Sequence, residues 1–248
     1  MKLSLSRRAP QSVLAVAFAG GRLVAAHVAR SKNAVAVLRT VSTPLSLDLL
    51  HPEPELVGRE IRGHLDAAQI KERACVVVLP PDWAMTQHTA VPELSAEDTA
   101  SLLQIEAEKA FPSGPDELHI ARSDQRAGEA RFATQLAVRR EQVARLTEVL
   151  RGAGLKPVSC TLGLPALADA VPSAGPGRVT LWVEGEGATL LVAAGGGVVT
   201  LRSLEAVIES EAGERVVNTA ALLRELRITL EQVPAELRAG VKALSVRG

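Results

Sequence analysis

The sequence predicts an α/β protein made of two copies of a β-β-β-α-β unit, with a strand-helix-strand-strand subdomain inserted between them. Three observations predict this. Apolar runs of strand length are punctuated by glycine turns. The order strand, strand, strand, helix, strand occurs twice. Between the two occurrences lies a segment with its own helix caps and stops.

In the first copy, residues 13–18 read as a strand, Ala19-Gly20-Gly21-Arg22 as a tight turn and residues 23–29 as the hairpin partner. Residues 34–40 form a third strand. Residues 55–67 are helical, with Leu56, Ile61 and Leu65 near one face. Residues 74–79 contain the run Cys-Val-Val-Val-Leu, the pattern of a strand buried on both faces. Pro80-Pro81 ends it.

The insert opens with a strand over residues 85–91. Ser95 starts a helix, with Asp98 three residues on in a capping-box pattern. Ala100, Leu103, Ala107 and Ala110 form its stripe, and Pro112 stops it. Residues 117–122 and 131–138 read as two strands around a polar turn at Ala127-Gly128. Residues 141–151 form the returning helix, with Val143, Leu146 and Leu150 inward. Gly152 or Gly154 ends it, and Pro157 follows.

The proline- and glycine-rich stretch 172–177 is the clearest linker. Strands follow at 178–183, 188–193 and 198–204, joined by Glu184-Gly185-Glu186-Gly187 and Gly195-Gly196-Gly197. Residues 219–233 are a helix capped by Asn218, with Leu222, Leu223, Leu226 and Leu230 at helical spacing. Pro234 closes it, and 241–246 is a last strand. The expected division is 1–82 with 156–172, then 83–155 as the insert, then 173–248. The copies share element order, not sequence.

Composition removes several function classes. The chain has 248 residues and 28 basic against 28 acidic side chains, without the basic excess of a nucleic-acid binder. Aromatics are 2 %, which argues against base-stacking platforms and aromatic cages. A 47 % hydrophobic content argues against disorder. Cys75 and Cys160 lie far apart, outside any C-x-x-C, and read as two buried thiols in a reducing compartment. The five histidines, His27, His51, His64, His88 and His119, share no metal-ligand spacing, and no metal is expected. No nucleophile elbow of the G-x-S-x-G type is present.

The N-terminal end is wholly basic. No acidic residue precedes Asp48, while Lys2, Arg7, Arg8, Arg22, Arg30, Lys32 and Arg39 are cationic. Arg7-Arg8 ahead of an apolar run has the outline of a targeting signal. Gly20-Gly21-Arg22 interrupts that run and strand patterning resumes at Leu23, so the segment is read as strands. No stretch approaches the ~20 apolar residues that span a bilayer.

Three stretches carry a family resemblance. Val78-Leu79-Pro80-Pro81 through Val91-Pro92 forms the first. The second is Ala107-Glu108-Lys109-Ala110-Phe111-Pro112 with Asp116-Glu117-Leu118-His119-Ile120-Ala121. The third is Leu-Arg-Gly-Ala-Gly-Leu-Lys-Pro at 150–157. On this topology the chain resembles the actin-like (ribonuclease H-like) ATPase superfamily. Within it, the chain resembles the bacterial branch of the pilus protein PilM and the type II secretion protein GspL, related to FtsA. The resemblance runs from about Ser12 to the end. It implies a scaffold at the cytoplasmic face of the bacterial inner membrane. There it would dock a secretion or pilus assembly ATPase, inner-membrane platform proteins or a membrane partner's tail. A homodimer is also compatible. By the same resemblance, the second actin-like subdomain would be cut short at Gly248.

The alternative is an ATP-binding protein of the PilM or FtsA kind. The fold would bring the Gly20-Gly21 and Glu184-Gly185-Glu186-Gly187 turns to the two sides of a phosphate site. Relatives that use ATP also need a magnesium-holding carboxylate near the end of the first strand of each half. Here the first position falls near Ala17, among apolar residues. The second falls near Trp182, with only Glu184 close. The expectation is therefore no catalysis, no cofactor (ATP with magnesium being the alternative) and vestigial turns at Gly20, Gly21, Glu184, Gly185 and Gly187. Arg139 and Arg140, and the acidic stretch with Glu209, Glu211 and Glu214, are the expected partner contacts.

Overall fold

The computed structural model describes residues 11–30, 34–163, 175–184, 187–205, 207–211 and 214–247. The chain divides into two compact units, Met1–Val78 with Arg145–Cys160, and Leu79–Ala144 with Thr161–Gly248.

The first unit is built on β1 (Ser12–Ala19), β2 (Arg22–Arg30), β3 (Val35–Pro44), α1 (Pro54–Ala67) and β4 (Ala74–Val78). β1 pairs antiparallel with β2 and parallel with β4, and β2 pairs antiparallel with β3. With β8 (Lys156–Thr161) the sheet order is β3-β2-β1-β4-β8. Leu14, Val16, Phe18, Leu23, Cys75 and Val77 supply the buried sheet face, and Val57, Ile61 and Leu65 the buried stripe of α1. β4 is fully buried on one face only: Cys75 and Val77 are buried, while Ala74, Val76 and Val78 are half-buried. β8 is a strand the sequence pattern hid. It carries Pro157, which belongs on a sheet edge, and residues 156–160 are exposed. Cys160 lies among them, so only Cys75 is buried. Burial pushes the Cys75 thiol up to about 11, with Cys160 adding repulsion.

α3 (Arg140–Gly152) returns to this unit through its last two turns. It crosses α1 at two glycines. A Cβ on Gly58 would lie 2.6 Å from the Val149 carbonyl oxygen, and one on Gly152 would lie 3.3 Å from the Glu55 Cα. Only glycine lets the two backbones come this close.

The second unit repeats the plan. β9 (Gly177–Glu184), β10 (Gly187–Ala194), β11 (Gly197–Leu204) and β14 (Val241–Arg247) order as β11-β10-β9-β14, with β14 parallel to β9. That is the same order and polarity as β3-β2-β1-β4. α4 (Thr219–Gln232) and α5 (Ala235–Arg238) follow an added hairpin, β12 (Ile208–Glu211) and β13 (Glu214–Val217). Asn218 caps α4 through a bond from the Ala221 N–H, 2.9 Å. Leu223 is 58 % exposed, so the inward stripe of α4 is Leu222, Leu226, Thr229 and Leu230.

The insert belongs to this unit. β5 (Met85–Ala90), β6 (Leu118–Ala127) and β7 (Ala130–Arg139) form a sheet ordered β5-β7-β6, and α2 (Ala96–Ala110) packs on it. Ser95 Oγ accepts from the Asp98 N–H at 3.1 Å, as the capping pattern predicted. The buried stripe of α2 is Thr99, Leu103 and Ala107, while Ala100 and Ala110 are exposed. No helix among the described residues is long and apolar enough to cross a membrane.

Candidate functional site

The Gly20-Gly21 turn is a two-residue hairpin between Ala19 and Arg22, with φ of +53° and +68°. Both central residues need the left-handed region, which is what a type I′ turn demands of glycine. The Gly21 carbonyl accepts from the Leu45 N–H at 2.8 Å. The β1 residues leading into the turn are Ala17, Phe18 and Ala19, with Phe18 buried. Glu184 and Gly187 are the last ladder pair of the β9–β10 hairpin. Gly185 lies outside the described residues.

Trp182 has a structural place. It packs against a cluster of Leu136, Leu191, Val198 and Leu201, where the insert meets the second sheet. Its bulk fills that junction.

The same junction carries a network of polar side chains. β11 is an edge strand, and the insert satisfies its outer backbone with side chains. Gln125 Nε2 donates to the Val198 carbonyl, and Thr134 Oγ1 donates to the Val199 carbonyl at 3.0 Å. Thr86 Oγ1 donates to the Leu201 carbonyl at 3.0 Å, and the Val198 N–H donates to Ser123 Oγ at 2.8 Å. The Arg126 N–H reaches the Gly195 carbonyl at 2.9 Å. Gly195 and Gly197 allow this approach, since a Cβ on Gly197 would stand 2.4 Å from the Asp124 carbonyl oxygen. His88 joins through Nδ1, 2.9 Å from Thr134 Oγ1, and stacks on Phe132. Burial alone moves the His88 imidazole below its ordinary pKa. None of Ser123, Gln125 and Thr134 stands out in sequence, because polar strand residues normally face water. Beside the junction, Arg126, Gly128, Gly195, Glu236 and Gly240 line a cavity of about 420 Å³ with charges of both signs.

Arg139 ends β7 and is exposed. Arg140 starts α3, and its Nε donates to the Asp116 carbonyl at 2.8 Å, so this guanidinium braces the start of β6. Glu209, Glu211 and Glu214 are gathered on the β12–β13 hairpin, where Glu211 sits directly opposite Glu214. Glu209, Glu211 and Glu214 thus lie on paired strand. Glu209 accepts from Asn218 Nδ2, which ties the hairpin to the α4 cap.

No protein-family model matches the chain, and no curated protein does. Solved structures do. A PilM–PilN type IV pilus biogenesis complex matches with 24% identity and a TM-score of 0.61, over 79% of this chain and 62% of that one. The cytoplasmic domain of EpsL, an inner-membrane component of the Vibrio cholerae type II secretion system, matches with 12% identity and a TM-score of 0.51, over 78% and 71%. A Bacteroides thetaiotaomicron protein of actin-like ATPase fold and unknown function matches with 10% identity and a TM-score of 0.50, over 95% and 90%. The chain thus spans somewhat less than two thirds of the pilus structure's length. The chain has the actin-like fold, and the expected likeness to PilM and to a type II secretion component is found in that fold.

Proposed function

We propose that the chain is a non-catalytic scaffold in the inner-membrane platform of a type IV pilus or type II secretion system. It would work at the cytoplasmic face and dock the assembly ATPase, a membrane partner's tail, or both. The likeness of fold to the pilus complex and to the EpsL domain supports the class of machine. The division into a first actin-like subdomain, an insert and a second actin-like subdomain belongs to the same reading.

One observation carries the non-catalytic part. Where ATP chemistry calls for a metal-holding carboxylate beside a phosphate turn, β1 ends in Ala17, Phe18 and Ala19, and Trp182 is committed to an apolar cluster. A magnesium-nucleotide needs oxygen ligands or ordered waters held by carboxylates. We infer that these residues do not fit it. Titration calorimetry with magnesium-ATP should give no binding heat. Micromolar binding would overturn this reading in favour of an ATP-binding protein of the same fold. Co-purification with the assembly ATPase or platform membrane protein of the same machine tests the scaffold role, and recovery of neither would refute it.

A further inference from the structure

The five-stranded sheet of the first unit gathers cations at one end. The order β3-β2-β1-β4-β8 aligns the start of β3 with the end of β2 and the starts of β1, β4 and β8. Arg30 lies opposite Val35, and its N–H donates to the Gln11 carbonyl. The Lys156 N–H donates to the Arg73 carbonyl. Lys71 enters β4 at this end, and Arg39 lies farther along β3, in mid-strand opposite His27. Arg30, Arg39, Lys71, Arg73 and Lys156 are all exposed.

The nearby carboxylates are taken. Glu72 accepts from the Ser12 hydroxyl and from the Arg73 and Ala74 N–H groups, and it faces His27 at 3.9 Å. Asp66 is paired with Arg62 at 2.7 Å. Among the described residues, none of the five cations has a carboxylate within ion-pair distance. Such a cluster raises the local positive potential and draws anions. Apolar side chains stand beside it: Val35, Val37 and Leu38 are 68%, 62% and 54% exposed. Leu38 is the extra residue of a bulge in the β2–β3 pairing. A bulge discourages a further strand from adding to this edge.

We propose that this end of the first sheet docks directly on an anionic lipid bilayer. The cations meet headgroup phosphates, and Val35, Val37 and Leu38 sink into the headgroup boundary. Four strand spacings of ~4.8 Å spread the contact over about 19 Å, wide enough to meet several phosphates. Cations flanked by protruding apolar groups are the composition of an interfacial binder. The inference goes beyond the scaffold reading, since it names a lipid contact of the chain itself and needs no secretion or pilus partner.

The test is co-sedimentation of the 248-residue chain with vesicles of phosphatidylglycerol in phosphatidylcholine, and with pure phosphatidylcholine vesicles. Binding should occur only to the anionic vesicles and should weaken as salt rises. Arg73→Gln and Lys156→Gln should each lower partitioning about fivefold, and the pair about 25-fold. Val37→Ser with Leu38→Ser should weaken binding without changing its salt dependence. Arg224→Gln, an exposed cation of the second unit, should leave binding unchanged. Melting temperatures should confirm that each variant is folded. Equal binding to both vesicle types, no binding, or equal losses from Arg224→Gln and Arg73→Gln would overturn the proposal. Retention on immobilised polyglutamate without vesicle binding would overturn it in favour of an acidic protein.

Discussion

The α1–α3 crossing gives the sharpest test of the packing. In Gly58→Ala the new Cβ would meet the Val149 oxygen at 2.6 Å, the Gly152 carbonyl carbon at 2.7 Å and the Ala153 nitrogen at 2.8 Å. All three are backbone atoms, so no side chain can rotate away. Overpacking of this kind costs about 3 kcal/mol at the upper end of its usual range. Alanine recovers about 1 kcal/mol of helix propensity over glycine. The net loss is about 2 kcal/mol. For a unit of this size, each kcal/mol shifts the melting temperature by about 4–8 °C, so the drop is about 8–16 °C. Gly63→Ala is the internal control. It sits in the same helix, and a Cβ there meets nothing within 4 Å. It should raise the midpoint by about 4–8 °C through propensity alone. Differential scanning calorimetry of both variants reads the contrast. Equal shifts, or a Gly58→Ala variant as stable as the parent, would refute the close crossing.

Four further outcomes follow from the second unit and from the titrating groups. Gly197→Ala should lift the insert from β11, because its Cβ falls 2.4 Å from the Asp124 oxygen and 2.7 Å from Ser123 Oγ; hydrogen exchange should quicken at the Val198 N–H. Thr134→Val removes the donor to the Val199 carbonyl and should cost about 1–3 kcal/mol in urea unfolding, since a buried acceptor is left unpaired. Burial holds the His88 pKa below 6.5, so the unfolded chain takes up this proton first, and stability falls as pH drops from 6.5 through the lowered value. Above that window His88 contributes nothing, and His88→Gln should flatten the pH dependence of the melting temperature. The Ser12 hydroxyl holds the Glu72 carboxyl below its ordinary pKa, a contribution present above the ordinary value and lost as pH falls through the lowered one; Ser12→Ala should shrink that acid-sensitive window.

The strands that carry the duplicated sheets were legible because β1, β2, β4, β9, β10 and β11 are apolar runs bounded by glycine or proline. Legibility failed where polar residues do core work. In α2 the sequence offers Ala100 and Ala110 as stripe residues, yet Thr99 is the one buried with Leu103 and Ala107. Thr99 stands four residues before Leu103, and this spacing, more than hydropathy, sets the face. In α4 the hidden position is Thr229, 1% exposed. Its hydroxyl donates to the Glu225 carbonyl at 2.8 Å and accepts from Arg202 at 3.2 Å, which makes burial tolerable. β8 was masked by Pro157, and the β12–β13 hairpin by its glutamates. Edge and hairpin strands need only one satisfied side, so their composition drifts away from the apolar signal. The candidate turns were legible as glycine hairpins. The cationic end of the first sheet was not, because Arg30, Lys71, Arg73 and Lys156 are brought to one end only by the strand order.

The junction on β11 explains why so polar a set of residues is buried in the second unit. An edge strand presents a row of unpaired backbone groups and invites pairing by another chain. In this chain the insert occupies that row without adding a strand. Gln125, Thr134, Thr86 and Ser123 each satisfy one backbone group of β11, and Gly195 and Gly197 let β6 approach closely enough to do so. Leu136, Leu191, Val198, Leu201 and Trp182 supply the apolar contact beside them. A ladder would tolerate almost any strand sequence, because backbone pairs with backbone. Side-chain satisfaction does not: each group has one partner at one height. The insert is therefore fixed in a single register on β11. Thr134→Val should loosen that register where a conservative change in a β7 residue facing α2, such as Ala133→Ser, should leave it intact.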